Sequence, residues 1–144
     1  MRWRLNVEDL RTEQLAQLDR FRDLSGKDIQ RVVKAGARVV VPKGSRLTTE
    51  DSAGEGVYVI LSGEVEVARG GVRLGTLSPG DIVGEVAVLE GLARTADVIA
   101  ATNVEALRLS NQAVRTLYQK VASFRRVLDD AVFERRRNDA LNDE

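Results

Sequence analysis

Gly84-Glu85-Val86-Ala87-Val88-Leu89-Glu90-Gly91-Leu92-Ala93-Arg94-Thr95-Ala96 sets one carboxylate and one guanidinium nine positions apart, across a short apolar run. Arg94 offers a planar, permanently charged fork that suits a phosphate. Glu85, ionised, only accepts hydrogen bonds, so it suits a ligand's hydroxyls and repels its phosphate. Ala87-Val88-Leu89 is long enough for one helical turn, whose free N–H groups attract an anion. Gly84 lets backbone approach a ligand closely. On spacing alone, an ordinary ion pair between Glu85 and Arg94 fits the stretch as well as a ligand cradle does.

Outward from this stretch the chain reads as short strands separated by turns. Upstream, Arg38-Val39-Val40-Val41 is β-branched and stops at Pro42-Lys43-Gly44; Ser45 to Thr49 reads as a further strand. Glu50 to Gly56 is a polar loop. Val57 to Leu61 is an almost continuous apolar run, which predicts a strand buried on both faces. Glu64 to Ala68 alternates with its apolar side in, Arg69-Gly70-Gly71 is a tight hairpin turn, and Val72, Leu74 and Thr76 alternate with Arg73 and Gly75. Leu77-Ser78-Pro79-Gly80-Asp81 is another turn. Downstream, Asp97 to Ala101 and Val104 to Leu109 are the last two strands. Frequent short strands with Gly/Pro turns imply a barrel or jelly roll.

Helical periodicity appears only at the ends. Val7, Leu10, Leu15, Leu18 and Phe21 predict a helix over about Val7 to Asp19. Ser25 with Asp28 has the spacing of an N-cap, before a short helix through Ile29, Val32 and Val33 that stops near Gly36. Ser110 caps a helix from Asn111 to Lys120. Phe124, Val127, Leu128, Ala131 and Val132 then form an amphipathic stripe, with Arg125–Asp129 and Arg126–Asp130 as i,i+4 pairs on the other face. Arg135-Arg136-Arg137 reads as a solvated helix end and 138–144 as a frayed tail. The expected fold is mainly β with flanking helices, a β-roll or jelly-roll barrel. Helices occupy 1–36, the roll 37–109 and two further helices 110–137, all in one domain of 144 residues.

Composition excludes several functions. Lysines and arginines balance aspartates and glutamates at 22 each, so no global field favours nucleic acid or a membrane surface. Cysteine and histidine are both absent, which removes thiol chemistry, the usual metal ligands and the usual acid–base catalyst. No nucleophile–base pair stands out, and no catalytic or metal residue is assigned. Neither a long apolar run nor a signal-peptide core is present, so the expectation is a cytoplasmic protein.

Gly84-Glu85-Val86-Ala87-Val88 followed by Arg94-Thr95-Ala96 resembles the phosphate-binding cassette of the cyclic nucleotide-binding domains, G-E-[LIV]-A-[LV]-x5-R-[STA]-A, at every constrained position. That family includes the bacterial catabolite activator protein and the regulatory subunits of cyclic-nucleotide-dependent kinases. Phe21-Arg22-Asp23-Leu24-Ser25 and the hairpin beginning Gly56-Val57-Tyr58-Val59-Ile60-Leu61 extend the resemblance over about residues 15–135. It implies a sensor of cAMP or cGMP with no other cofactor. Glu85 would accept the ribose 2′-hydroxyl. Gly84, Val86 and Ala87 would lend backbone groups, Arg94 would pair with the cyclic phosphate, and Thr95 and Ala96 would complete the cradle. A threonine at this position accompanies cGMP binding in the kinase and channel branches, and bacterial cAMP sensors tolerate it. The chain departs from many members in having Ala93 where they have proline, and in the extra charges Glu90 and Asp97.

In the family the last helix often folds over the purine. Arg135, Arg136, Asn138 and Asp139 are the candidates for that base cap. The expected partners are a cyclic nucleotide, a second copy through the C-terminal helix, and an effector protein in trans, or an effector elsewhere in a longer chain. Nucleic acid and membrane are not expected partners of this chain alone. The competing expectation is an interaction domain that kept the fold and lost the ligand.

Overall fold

The computed structural model describes residues 7–48, 56–84 and 97–142. Helix α1 spans Val7–Ala16, a 3₁₀ turn follows at Asp19–Phe21, and α2 spans Gly26–Ala35. The first helix thus ends before Asp19. The chain tightens there, with the Leu18 N–H on the Leu15 carbonyl and the Phe21 N–H on the Leu18 carbonyl. This change of direction delivers Phe21, fully buried, to Phe124, with ring centroids 6.3 Å apart. Ser25 caps α2 as its spacing predicts, its hydroxyl accepting the Asp28 N–H at 3.1 Å, and Ile29, Val32 and Val33 form one buried face.

Eight strands are described: β1 (Ala37–Val41), β2 (Arg46–Thr48), β3 (Val57–Ser62), β4 (Val65–Arg69), β5 (Val72–Leu77), β6 (Ile82–Val83), β7 (Asp97–Ala100) and β8 (Val104–Leu109). Strand β1 pairs with β8, β2 with β7, β3 with β6 and β4 with β5, all antiparallel. The strand region is therefore one long hairpin with its tip at the β4–β5 turn. Cross-pairing of β3 with β8 and of β4 with β7 rolls that hairpin into two sheets, ordered β1-β8-β3-β6 and β2-β7-β4-β5. This is the jelly-roll arrangement expected from the sequence. At the tip Gly70 (φ +58°) and Gly71 (φ +80°) supply the two left-handed residues of a two-residue turn.

The two-residue strand β6 carries no sequence signal of its own. The expected alternation of Val72, Leu74 and Thr76 needs correction. Val67 pairs with Gly75 but Ala68 pairs with Arg73, so Leu74 is an extra residue in β5. Beyond the bulge the faces are exchanged: Gly75 and Leu77 lie opposite Val67 and Val65 on the interior side and Thr76 is exposed, while Val72, opposite Arg69 at the hairpin tip, is exposed as well.

The sheets divide the core in two. Inside the roll, Leu47, Ile60, Val65, Val83, Val98, Ala100, Val104 and Ala106 form one cluster, with Tyr58 and Leu77 at its margin. On the outer face of the first sheet, Val57, Val59, Leu61, Ile82, Leu107 and Leu109 meet the helices in a second. The apolar run of β3 is explained, since its alternate residues feed different clusters.

Helix α3 spans Asn111–Lys120, capped by Ser110, whose hydroxyl accepts the Ala113 N–H at 3.1 Å. Helix α4 spans Ala122–Asn142, so the segment read as a frayed tail continues the helix through 142. Arg125 turns back to donate to the Tyr118 and Gln119 carbonyls at 2.6 and 2.9 Å, bracing the α3–α4 junction. Asp129, its expected i,i+4 partner, accepts the Tyr118 hydroxyl at 2.8 Å. Phe124, Val127, Leu128 and Ala131 are buried against the chain's own helices and first sheet. A two-fold interface through that stripe therefore requires α4 to leave this position.

Candidate functional site

Strand β6 is the rail that leads into the stretch expected to bind phosphate. The Ser78-Pro79-Gly80-Asp81 turn precedes it, closed by the Asp81 N–H on the Ser78 carbonyl and by the Ser78 N–H on the Asp81 carboxylate at 2.8 Å. Ile60 of β3 donates to the Asp81 carbonyl and accepts from the Gly80 N–H, at 3.0 and 2.8 Å. Tyr58 then pairs with Val83, which fixes where the chain emerges. Gly84 follows with φ +93°, a left-handed conformation that glycine adopts without Cβ strain, and the chain turns out of the first sheet.

The stretch ends in the other sheet. Asp97 opens β7 opposite Ala68 of β4, and its carboxylate lies 3.3 Å from the Arg46 guanidinium on β2. The extra acid noted in the sequence is thus balanced by a cation. The two flanks of the stretch sit in different sheets, at either side of the apolar interior where Tyr58, Val83 and Val98 gather.

Of the residues predicted to bind ligand, Gly84 is placed at this exit from β6. Glu85, Val86, Ala87, Arg94, Thr95 and Ala96 lie outside the described residues. The base-cap candidates Arg135, Arg136, Asn138 and Asp139 fall on the helical backbone of α4, with their side chains outside the described set.

Sequence reasoning missed Arg20. Its side chain is mostly buried, at 19% exposure, and reaches three residues, two in the turn before β6 and one on α4. Nε donates to the Gly80 carbonyl at 2.9 Å, and Nη2 lies 2.8 Å from Glu134 of α4 and 3.4 Å from Asp81. Burial works against the charge, but the hydrogen bonds and negative charges of Glu134 and Asp81 more than offset it and hold the guanidinium above its ordinary pKa. An open groove of about 740 Å³ lies over this junction, lined also by Asp19, Asp23 and Asp130. No local signal marks Arg20, because its partners are 60 to 114 residues away in sequence.

The family profile described as "cyclic nucleotide-binding domain" matches residues 38–121. The chain belongs to the cyclic nucleotide-binding domain family. A cAMP-dependent protein kinase regulatory subunit of Yarrowia lipolytica is 35% identical over 97 residues, 66% of this chain and 26% of that protein. A cGMP-dependent protein kinase of Drosophila melanogaster is 31% identical over 107 residues, 74% of this chain and 10% of that one. Among solved structures, the regulatory domain of Toxoplasma gondii PKA, in co-crystals with cAMP, superposes with a TM-score of 0.78 at 15% identity, covering 90% of this chain and 50% of that one. The chain thus spans about a quarter of the Yarrowia subunit and a tenth of the Drosophila kinase.

A cyclic nucleotide-binding domain is a regulatory module rather than a catalytic one. Among the described residues no group of three or more His, Cys, Asp or Glu side chains could hold a metal ion, and no helix is long and apolar enough to cross a membrane.

Proposed function

We propose that this domain binds cAMP, with cGMP not strongly excluded, and reports occupancy through its C-terminal helices. The observation that carries the reading is the retention of Glu85 and Arg94 at family spacing, in a chain whose family match spans the cassette. Arg94 pairs with the cyclic phosphate and Glu85 accepts the ribose hydroxyl. Gly84, Val86 and Ala87 supply backbone groups, and Thr95 and Ala96 line the phosphate and base. The relatives named for cAMP and for cGMP support a purine cyclic nucleotide without choosing between the two. Arg135, Arg136, Asn138 and Asp139 cap the base from α4, so ligand and output act on the same helix. Burial of the α4 stripe favours an effector protein over a second copy of the chain as the recipient of the signal.

Displacement of a fluorescent cAMP analogue tests the assignment. Arg94→Ala leaves a phosphate without its counter-charge and weakens binding by about 2–5 kcal/mol. Arg94→Lys is also poor, because an ammonium does not reproduce the fork. Unchanged affinity in a folded Arg94→Ala protein removes that role. Absence of nucleotide binding by the unmodified protein leaves the interaction-domain reading in its place.

A further inference from the structure

Helix α4 is held to the 3₁₀ turn at two places of opposite character. Near its start, Phe124 stacks on Phe21, and both rings are fully buried. Ten residues further on, about 15 Å along the helix axis, Glu134 meets Arg20. The first contact is apolar and belongs to the core. The second is a charge pair whose carboxylate is 57% exposed.

We propose that Arg20 is a positioning residue that latches the distal half of α4 to the strand leading into the phosphate-binding stretch, and so sets nucleotide affinity from outside the ligand's reach. The proposal rests on the nucleotide-binding reading above. One guanidinium grips both approaches to the candidate site. Asp81 lies three residues before Gly84, and Glu134 immediately precedes the base-cap candidates. The Asp81 end of the grip is rigid. Its Oδ2 closes its own turn on the Ser78 N–H, its carbonyl is tied to β3, and Arg20 adds the Gly80 carbonyl. The Glu134 end is a single solvent-facing carboxylate, so the latch opens on the helix side. Phe21 keeps Arg20 from following the helix when it moves.

The surrounding charge strengthens the argument. Asp19, Asp23, Asp81, Asp130 and Glu134 line the groove together, against Arg20 and Arg22. Without Arg20, Asp81 faces Glu134 across a junction rich in acids, and the distal half of α4 is pushed away rather than merely released. The fork is also needed, because one ammonium cannot hold a carbonyl and two carboxylates in this arrangement.

Hydrogen exchange and cAMP calorimetry on the full chain test this with Arg20→Lys and Glu134→Gln, both mild enough to spare the core. In nucleotide-free protein each variant is expected to raise amide exchange over residues 131–142 by roughly two- to fivefold, the range of a partly exposed ion pair, and to leave 114–128 unchanged. Affinity for cAMP should fall by a similar factor of about two to five, and the double variant should lose no more than the worse single one. Unchanged exchange over 131–142 overturns the latch, whatever the nucleotide does. Raised exchange with unchanged affinity overturns its link to the ligand. If the unmodified protein binds no cAMP, the functional reading falls and the affinity claim with it, while exchange alone still decides the latch.

Discussion

The two sheets of the roll are built from similar strands but stand in different surroundings. In the first, β3 sends Val57, Val59 and Leu61 to the helices and Ile60 to the interior, so both faces are dry. In the second, Val65, Val67 and Val98 face the interior, while β5 leaves Val72, Arg73 and Thr76 exposed. The first sheet is therefore a wall shared by two cores, and it carries the rail that leads to Gly84. Its residue Ile82 belongs to the helix-side core and the next residue, Val83, to the roll interior, directly before Gly84. The second sheet receives the far end of the phosphate-binding stretch, and among the described residues its buried apolar side chains belong to the roll interior rather than to the helix-side core.

The largest expected effect follows from this difference. Phe124→Ala empties a fully buried site in the helix-side core and removes the stack on Phe21. It should cost about 3–5 kcal/mol in urea unfolding. Val98→Ala, on the roll side of the second sheet, deletes two buried methyl groups and should cost only about 2 kcal/mol. Equal costs would mean that the helical layer adds nothing to the first sheet. Phe124→Ala should also raise exchange along α4 and the 3₁₀ turn, whereas Val98→Ala should leave both unchanged.

Smaller effects bear on the ligand and on the helix junction. Thr95→Ala should weaken cGMP more than cAMP, by about one hydrogen bond or roughly 1 kcal/mol, in parallel titrations. Equal losses would show that the hydroxyl meets only the phosphate. The smallest effect concerns Tyr118, whose hydroxyl bond to Asp129 raises its pKa above the ordinary tyrosine value, helped by some burial and by the negative charge of Asp129. A group whose folded pKa is raised contributes stability that is full below its unfolded pKa and is lost as pH rises through the folded value. The α3–α4 brace should therefore weaken only above about pH 10. Tyr118→Phe should remove that alkaline step in melting temperature and lower the melting temperature slightly near neutrality, where the bond to Asp129 is intact.

Features decided within a few residues were legible before the structure. The Ser25 and Ser110 caps, the Gly70-Gly71 turn and the double burial of β3 were all read from local spacing. The rest depends on distant partners. The bulge at Leu74 is set by pairing with β4, and no periodicity within β5 reveals it. Strand β6 has two residues and exists because Tyr58 and Val59 lie beside it. Arg20 sits in an unremarkable run, and its meaning comes from Gly80, Asp81 and Glu134. For the candidate site, the sequence supplied the two charges and their spacing, and the structure supplied the two flanks in different sheets.

The most direct test of the account is calorimetric titration of the unmodified protein with cAMP and with cGMP, alongside thermal melting. A ligand of about 22 heavy atoms, at roughly 0.3 kcal/mol per atom, should bind with a dissociation constant on the order of ten micromolar. The account predicts saturable one-site heats with cAMP in that range and a melting temperature that rises with ligand. Absence of both heat and thermal shift at millimolar cAMP and cGMP would contradict it.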